Sequence, residues 1–396
     1  PTLQVMAERP DTRQLTIDGC AELSRRVSDA LDEVPPELMA LVDNVVVLVE
    51  DRNPDEPDLL GLYEGYALTE RGWEYGGALP DRIMIYREAI CAVCETAEEI
   101  VDEVTITVVH EIAHQWWGHQ VVPSDQQGAA VPTESLAQYT ALLTMEQVYG
   151  PDQIRKFLKA ELDRYLRARG GQGLEELPLI RVEDQPHIYY QKGALVMWRL
   201  REVIGEEAVN RALRRLLAQY AFKPAPYPRS AEMVALLRQE AGPEHQALIT
   251  DLFERITLYD VKTERLDRRK RPDGRWDVTL TVTARKLYAD GQGVEREAPL
   301  SEPVDVGVFA AKPGDKAFTR ADVLALERRH WRRVDATLAE GSDREAAMRR
   351  GLGQVTAVGG VETRRDPSAS PTTMAGVWSS FTQVRIRVRR LTRSGP

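Results

Sequence analysis

Residues 96–118 carry the clearest helical period in the chain. Ile100, Val104, Val108, Val109 and Ile112 recur on one side of a 3.6-residue turn. Thr96 with Glu99 three residues on forms a capping-box pattern at its start, and Gly118 marks a stop. The run 105–109 is β-branched, which lowers intrinsic helix propensity and points to a buried helix held by packing. Ahead of it, 45–50 is a short apolar run of strand type, and 81–86 alternates as a second strand. Residues 15–42 read as a helix with Leu23, Val27 and Leu31 on one side, broken at Pro35-Pro36, behind a loose polar stretch at 1–14. Residues 51–60 are an acidic, proline-bearing loop.

Downstream the pattern stays helical. It predicts helices over 134–149, 151–168, 190–204, 206–220, 230–241 and 244–256. The second starts at Pro151 and stops at Gly170-Gly171, and Ser230 is the expected N-cap of the fifth. From Val261 the period changes to two. Residues 275–283 alternate over a whole strand, Asp273-Gly274 marks a turn, and 304–309 predict another strand, together a small or partial β-sandwich. Residues 320–350 are charged and read as helical. Residues 361–396 hold seven arginines against two acids, a net of +5, in a stretch poor in apolar residues; this reads as a disordered, solvated tail. The pattern gives an α+β chain of four segments: residues 1–114 with the first strands and the long helix, 115–260 helical, 261–316 β-rich, and 317–396 a charged helix and basic tail.

The chain has 396 residues, enough for two to three domains and a large core. Its net charge of −10 and pI near 5.4 argue against a generalised nucleic-acid surface. No apolar run approaches the length of a membrane span, and the first residues show no basic stretch followed by an apolar one. The expectation is a cytoplasmic location, the alternative being the outer face of a membrane complex. Cys20, Cys91 and Cys94 are too few and odd in number for a disulfide framework. The Cys91–Cys94 pair has no second pair or nearby histidine to complete a structural zinc site, so both thiols read as small, at least partly buried residues.

Chemistry concentrates on the long helix, which reads His110-Glu111-Ile112-Ala113-His114. Positions i and i+4 share a helix face, so both imidazoles can grip one ion while Glu111, beside them, accepts a proton from water. A third ligand is needed. The metzincin spacing fails, because Trp117 and Gln120 occupy the positions where it requires Gly and His. Glu134, near the start of the next helix behind Thr133 as its cap, is the better candidate, with Asp125 the alternative. A His2Glu set leaves one zinc position open, as catalytic sites do. The plain reading of Glu134 is a first-turn acid favouring the helix dipole.

Three further stretches stand out: His114-Gln115-Trp116-Trp117-Gly118-His119, Glu134-Ser135-Leu136-Ala137-Gln138-Tyr139 and Tyr190-Gln191-Lys192-Gly193. Through them the chain from Gln115 to about Asp260 resembles the aminopeptidase N and leukotriene A4 hydrolase group of gluzincins. Within that group it resembles the aminopeptidase-like domain of certain bacterial ABC-transporter permease proteins, up to about Lys316. It implies a zincin-like catalytic domain with a small mixed sheet and an active-site helix, followed by a helical subdomain and a small β-domain. It implies that Tyr190, with Tyr189 as fallback, stabilises the tetrahedral intermediate. It also implies a transporter system as a partner beside the peptide substrate.

Residues 45–114 resemble a different group, the minimal gluzincins, through Leu60-Gly61-Leu62-Tyr63-Glu64-Gly65, Leu68-Thr69-Glu70-Arg71, Leu79-Pro80-Asp81-Arg82-Ile83 and the His110 to His114 motif. The chain thus reads as a mosaic of two related metallopeptidase families joined inside the active-site helix. Two departures matter. Nineteen residues separate His114 from Glu134, one more than the aminopeptidase group usually has. The Gly-x-Met-Glu-Asn stretch that binds a substrate's free amino group is absent; Tyr75 to Leu79 lies in its region, with Glu74 the nearest acid. Zincins pair an extended substrate with an edge strand above the metal, a role expected here for 81–86. The expected function is a zinc peptidase holding one ion through His110, His114 and Glu134, with Glu111 and Tyr190 catalytic. The alternative is a catalytically weak or inactive peptidase-like module that binds a peptide or transporter partner.

Overall fold

The computed structural model describes residues 45–65, 81–171, 173–270, 272, 276–300, 303–309, 323–330, 357–358 and 382–387. The expected helix at 15–42, the turn at 273–274 and the stretch from Glu74 to Leu79 lie outside them. The chain divides into two compact units. One comprises residues 1–151 and 178–249, the other 152–177 and 250–396.

In the first unit, strands β1 (Val45–Glu50), β2 (Gly61–Glu64) and β3 (Asp81–Tyr86) form a three-stranded sheet in the order β1-β3-β2. β3 pairs parallel with β1, Val47 opposite Ile83, and antiparallel with β2, Tyr63 opposite Ile83. The strand expected to lie at the edge is therefore the central one. Its composition fits that place, since Ile83, Met84, Ile85 and Tyr86 are all buried.

Helix α1 (Arg87–Val93) leads to α2 (Ala97–Ala113), the expected long helix. Its capping box is formed: the Glu99 amide donates to Thr96 Oγ1 at 3.2 Å, and the Thr96 amide donates to Glu99 Oε2 at 3.3 Å. The β-branched run is accommodated by burial and back-bonding. Thr105 and Thr107 donate to the carbonyls of Val101 and Glu103, both at 2.8 Å, so their buried hydroxyls are satisfied within the helix. α2 packs on β2, β3 and α3 (Leu136–Tyr149). Cys91 is exposed and Cys94 half-buried, so the first thiol departs from the burial expected of it.

Two helices begin with a wider turn than their period predicts. Residues Val131–Ser135 form a π-helical turn ahead of α3. Thr133 is inside that turn and its hydroxyl donates to Ala129 O, so it does not cap the helix. Ile188–Lys192 form another, ahead of α5 (Gly193–Ile204), after α4 (Ile154–Gly171) in the second unit. α5 packs on α3 and on α6 (Glu206–Tyr220), and α6 packs on α7 (Ser230–Glu240). The cap of α7 is Arg229; Ser230 is its first residue and donates to Ile180 O at 2.6 Å. The expected helix over 244–256 is a short α8 (Gln246–Ile249) running into a π turn.

In the second unit β4 (Ile256–Lys270) starts five residues before the composition changes and pairs antiparallel with β5 (Trp276–Ala289), which also takes β6 (Glu295–Ala298). β7 (Pro303–Phe309) pairs with β8 (Val323–His330) and β9 (Ala357–Val358), and β10 (Thr382–Arg387) pairs with β5. Residues 323–330 are thus a strand where a helix was expected, and 382–387 are a strand within the expected tail. Val384 and Ile386 alternate with Arg385 and Arg387 and sit opposite Leu280 and Val278, so pairing decides against the local charge. Among the described residues no helix is long and apolar enough to cross a membrane.

Candidate metal centre

The two histidines of α2 meet Glu134 of the first π turn. His110 Nε2 lies 3.2 Å and His114 Nε2 3.3 Å from Glu134 Oε2. One donor atom from each of the three residues falls within 4.8 Å of the others, the one such cluster of His, Cys, Asp or Glu among the described residues. Tetrahedral zinc with bonds of about 2.0–2.1 Å separates its donors by about 3.4 Å. The two separations to Glu134 match that edge, and the chemistry of the donor set suits a zinc ion. His114 is the C-cap of α2 but keeps helical angles, φ −61° and ψ −18°, which is why the i, i+4 alignment survives to the helix end. Asp125, the alternative ligand, is exposed and outside this cluster.

Both imidazoles are oriented from behind. His110 Nδ1 donates to Gln138 Oε1 at 2.8 Å, and His114 Nδ1 donates to the Trp117 carbonyl at 2.9 Å. With Nδ1 engaged in this way, each ring turns its Nε2 toward Glu134. The Trp117 carbonyl is presented by a tight return loop in which Gly118 adopts φ +117° and the Val121 amide donates to Trp116 O. Gln138 stood in the sequence only as part of the stretch from Glu134 to Tyr139, with no role of its own. It stands four residues after Glu134, and that i, i+4 spacing was the available signal. Gln138→Leu is expected to weaken zinc binding about 10–100-fold while the fold persists, because an outer-shell partner of a ligand is lost. Chelator competition checks this; an unaltered affinity would remove Gln138 from the site.

Glu111 is buried beside the three candidate donors and accepts a backbone hydrogen bond from Tyr63 of β2. Burial pushes its carboxyl above the ordinary range, against the pull of His110 and His114. β2 approaches so closely because residue 61 is glycine: a Cβ there would stand 2.5 Å from Thr107 Cγ2 and 2.9 Å from Glu111 Oε1. For His114, burial alone would lower the pKa, but the charge of Glu134, the hydrogen bond with it and the charge of Glu111 raise it to about 9. Burial would raise the Glu134 carboxyl; the two histidines hold it well below the usual carboxylate range.

Tyr190, in the second π turn, has its ring centroid 5.5 Å from that of His110. Burial, then the charge of Glu134, keeps its phenol protonated far beyond neutral pH. Tyr189 stacks edge-on against Tyr190 at 4.7 Å. His187 is buried just ahead of this turn.

Residues 42–119 match the zincin-like metallopeptidase family. That segment holds β1 to β3, α2 and both histidines. The chain is 28% identical over 158 residues to aminopeptidase M1-B of Oryza sativa subsp. japonica, an alignment covering 37% of this chain and 17% of that protein. It therefore spans less than a fifth of that relative. An M1 zinc metallopeptidase from Deinococcus radiodurans overlays 62% of this chain on 46% of its own, with 21% identity and a TM-score of 0.35. A mutant of that enzyme bound to a Tyr-Ser-Ala substrate gives 64%, 46%, 17% and 0.36. Zinc is the cofactor indicated by the zincin-like segment together with the His-His-Glu donor set.

Proposed function

We propose that the chain is a zinc-dependent peptidase in which His110, His114 and Glu134 hold the ion, Glu111 is the general base and Tyr190 steadies the oxyanion. The observation that carries this reading is the convergence of the three donors at zinc-like separations beside a buried carboxylate. Zinc, when bound, supplies a Lewis acid that polarises the scissile carbonyl and acidifies a water. Glu111 takes the proton from the attacking water and delivers it to the departing amine; its raised carboxyl pKa suits a group that must both accept and release. The protonated Tyr190 phenol donates to the oxygen that becomes negative as the carbonyl carbon turns tetrahedral. The edge-strand role expected of 81–86 passes to β2, which is flanked by β3 on one side only among the described strands and adjoins Glu111. An extended peptide running along β2 would carry its scissile bond past the general base.

The test is hydrolysis of matched peptides with free and N-acetylated amino ends. Zinc-loaded protein is expected to cleave them, to lose activity to a chelator and to regain it with zinc. A requirement for the free amine would make the chain an aminopeptidase, and equal rates an endopeptidase. Tyr190→Phe is expected to lower kcat about 10²-fold with zinc content unchanged, as removal of one oxyanion donor does. One bound zinc with no cleavage of any peptide would reject the enzyme and leave a peptidase-like binding module.

A further inference from the structure

The ligand Glu134 and the phenol Tyr190 both lie in π turns, and the two turns are joined by one side chain. Ser135, the last residue of the first turn, is fully buried, and its hydroxyl donates to the Tyr189 carbonyl at 2.6 Å. In an α-helical turn that carbonyl would be the acceptor for the amide of Gly193, four residues on. Here the Gly193 amide reaches the carbonyls of Ile188 and Tyr190 instead. In the first turn the Ser135 amide likewise reaches back five residues to Ala130 O. Each wide turn therefore presents one reactive side chain, and the Ser135–Tyr189 bond ties the neighbour of Glu134 to the neighbour of Tyr190.

Gly193 makes this contact possible. A Cβ at 193 would stand 2.2 Å from Ser135 Oγ and 2.7 Å from Ser135 Cβ. The second distance involves the root of a buried side chain, which cannot swing aside, so any side chain at 193 would force the turns apart. Wide turns of this kind recur at functional sites, where they re-aim a side chain that a regular helix would misplace.

We infer that Ser135 is a positioning residue, which through the Tyr189 carbonyl and against Gly193 sets the spacing between Glu134 and the Tyr190 phenol. The inference rests on the peptidase reading and concerns how the oxyanion donor is held. Ser135 touches neither substrate nor metal in this role. Its effect must pass through Tyr190.

The experiment is a double-mutant cycle on the zinc-loaded full chain: wild type, Ser135→Ala, Tyr190→Phe and the double variant, with kcat, KM and bound zinc measured for each. Ser135→Ala is expected to lower kcat about tenfold, the scale of one misplaced contact, with KM within about twofold and one zinc retained. In the Tyr190→Phe background the same change is expected to do nothing, because the group it positions has gone. Equal losses in both backgrounds, an unaltered kcat or loss of zinc would overturn the inference. Hydrogen exchange over 188–193 in the zinc-free chain supplies a readout independent of activity. Ser135→Ala is expected to speed it about tenfold, and unchanged exchange would mean that the bond does not hold the turn. Absence of hydrolysis by the wild type would instead reject the peptidase reading, whatever the exchange shows.

Discussion

Glu111→Gln is expected to keep one zinc per chain and to lower kcat by about 10³-fold, within the range that general base catalysis supplies. Glutamine has the same shape and can still accept the Tyr63 amide, so the contact with β2 and the close approach at Gly61 survive. The change removes the ability to take a proton. It also removes a negative charge near His110 and His114, but no ligand, so the affinity for zinc falls little. Metal content by mass spectrometry and hydrolysis of a single peptide decide the matter together. Retained turnover with zinc bound would move the base to another residue and sink the mechanism. Loss of both zinc and turnover would mean that Glu111 supports the site rather than the reaction. Stability offers a further sign. The carboxyl is raised by burial, so its ionised form is disfavoured in the folded chain, and the amide relieves that cost.

The spacing of His110 and His114 on a helix was legible because i, i+4 geometry is local, and the capping box at Thr96 and Glu99 is formed as the letters imply. Glu134 was legible as a candidate but its setting was not. A π turn inserts one residue into a helical ladder, and no periodicity over five residues reveals it. For that reason Thr133 looked like a cap, and Ser135 and Gly193, which stood out only as letters of two longer stretches, had no role of their own although they lie at the junction of the two turns. β3 looked like an edge strand because strand order is set by pairing across the sheet, which alternation along one strand does not encode. Its unbroken run from Ile83 to Tyr86, buried throughout, was the available sign of a central position. The strands at Val323–His330 and Thr382–Arg387 were hidden for the opposite reason. They lie within longer stretches whose charge dominates the composition, whereas pairing draws on the local strand alone.

His110→Ala and Glu134→Ala are each expected to abolish stoichiometric zinc binding at micromolar metal and, with it, the stabilisation that zinc gives the folded chain. At a free zinc concentration a thousandfold above the dissociation constant that stabilisation is about 4 kcal/mol, so thermal unfolding with and without the ion reads the loss directly. The two variants separate in their zinc-free behaviour. Wild type and His110→Ala keep the His114–Glu134 contact, 3.3 Å long, which raises His114 to about 9. A histidine raised in the folded state contributes stability that is complete below its unfolded pKa of about 6.5 and lost as pH rises through 9. Both chains should therefore lose zinc-free stability between neutral pH and about pH 9. Glu134→Ala removes the largest of the raising influences, leaving burial opposed only by the charge of Glu111 and the Trp117 carbonyl, and its stability should fall less over that window. The same proton links metal to pH. Zinc must displace it from His114, so the apparent affinity of the wild type should rise with pH up to about 9 and flatten above. A flat affinity across neutral pH, or a Glu134→Ala variant that still binds one zinc, would show that the ion is held by other donors.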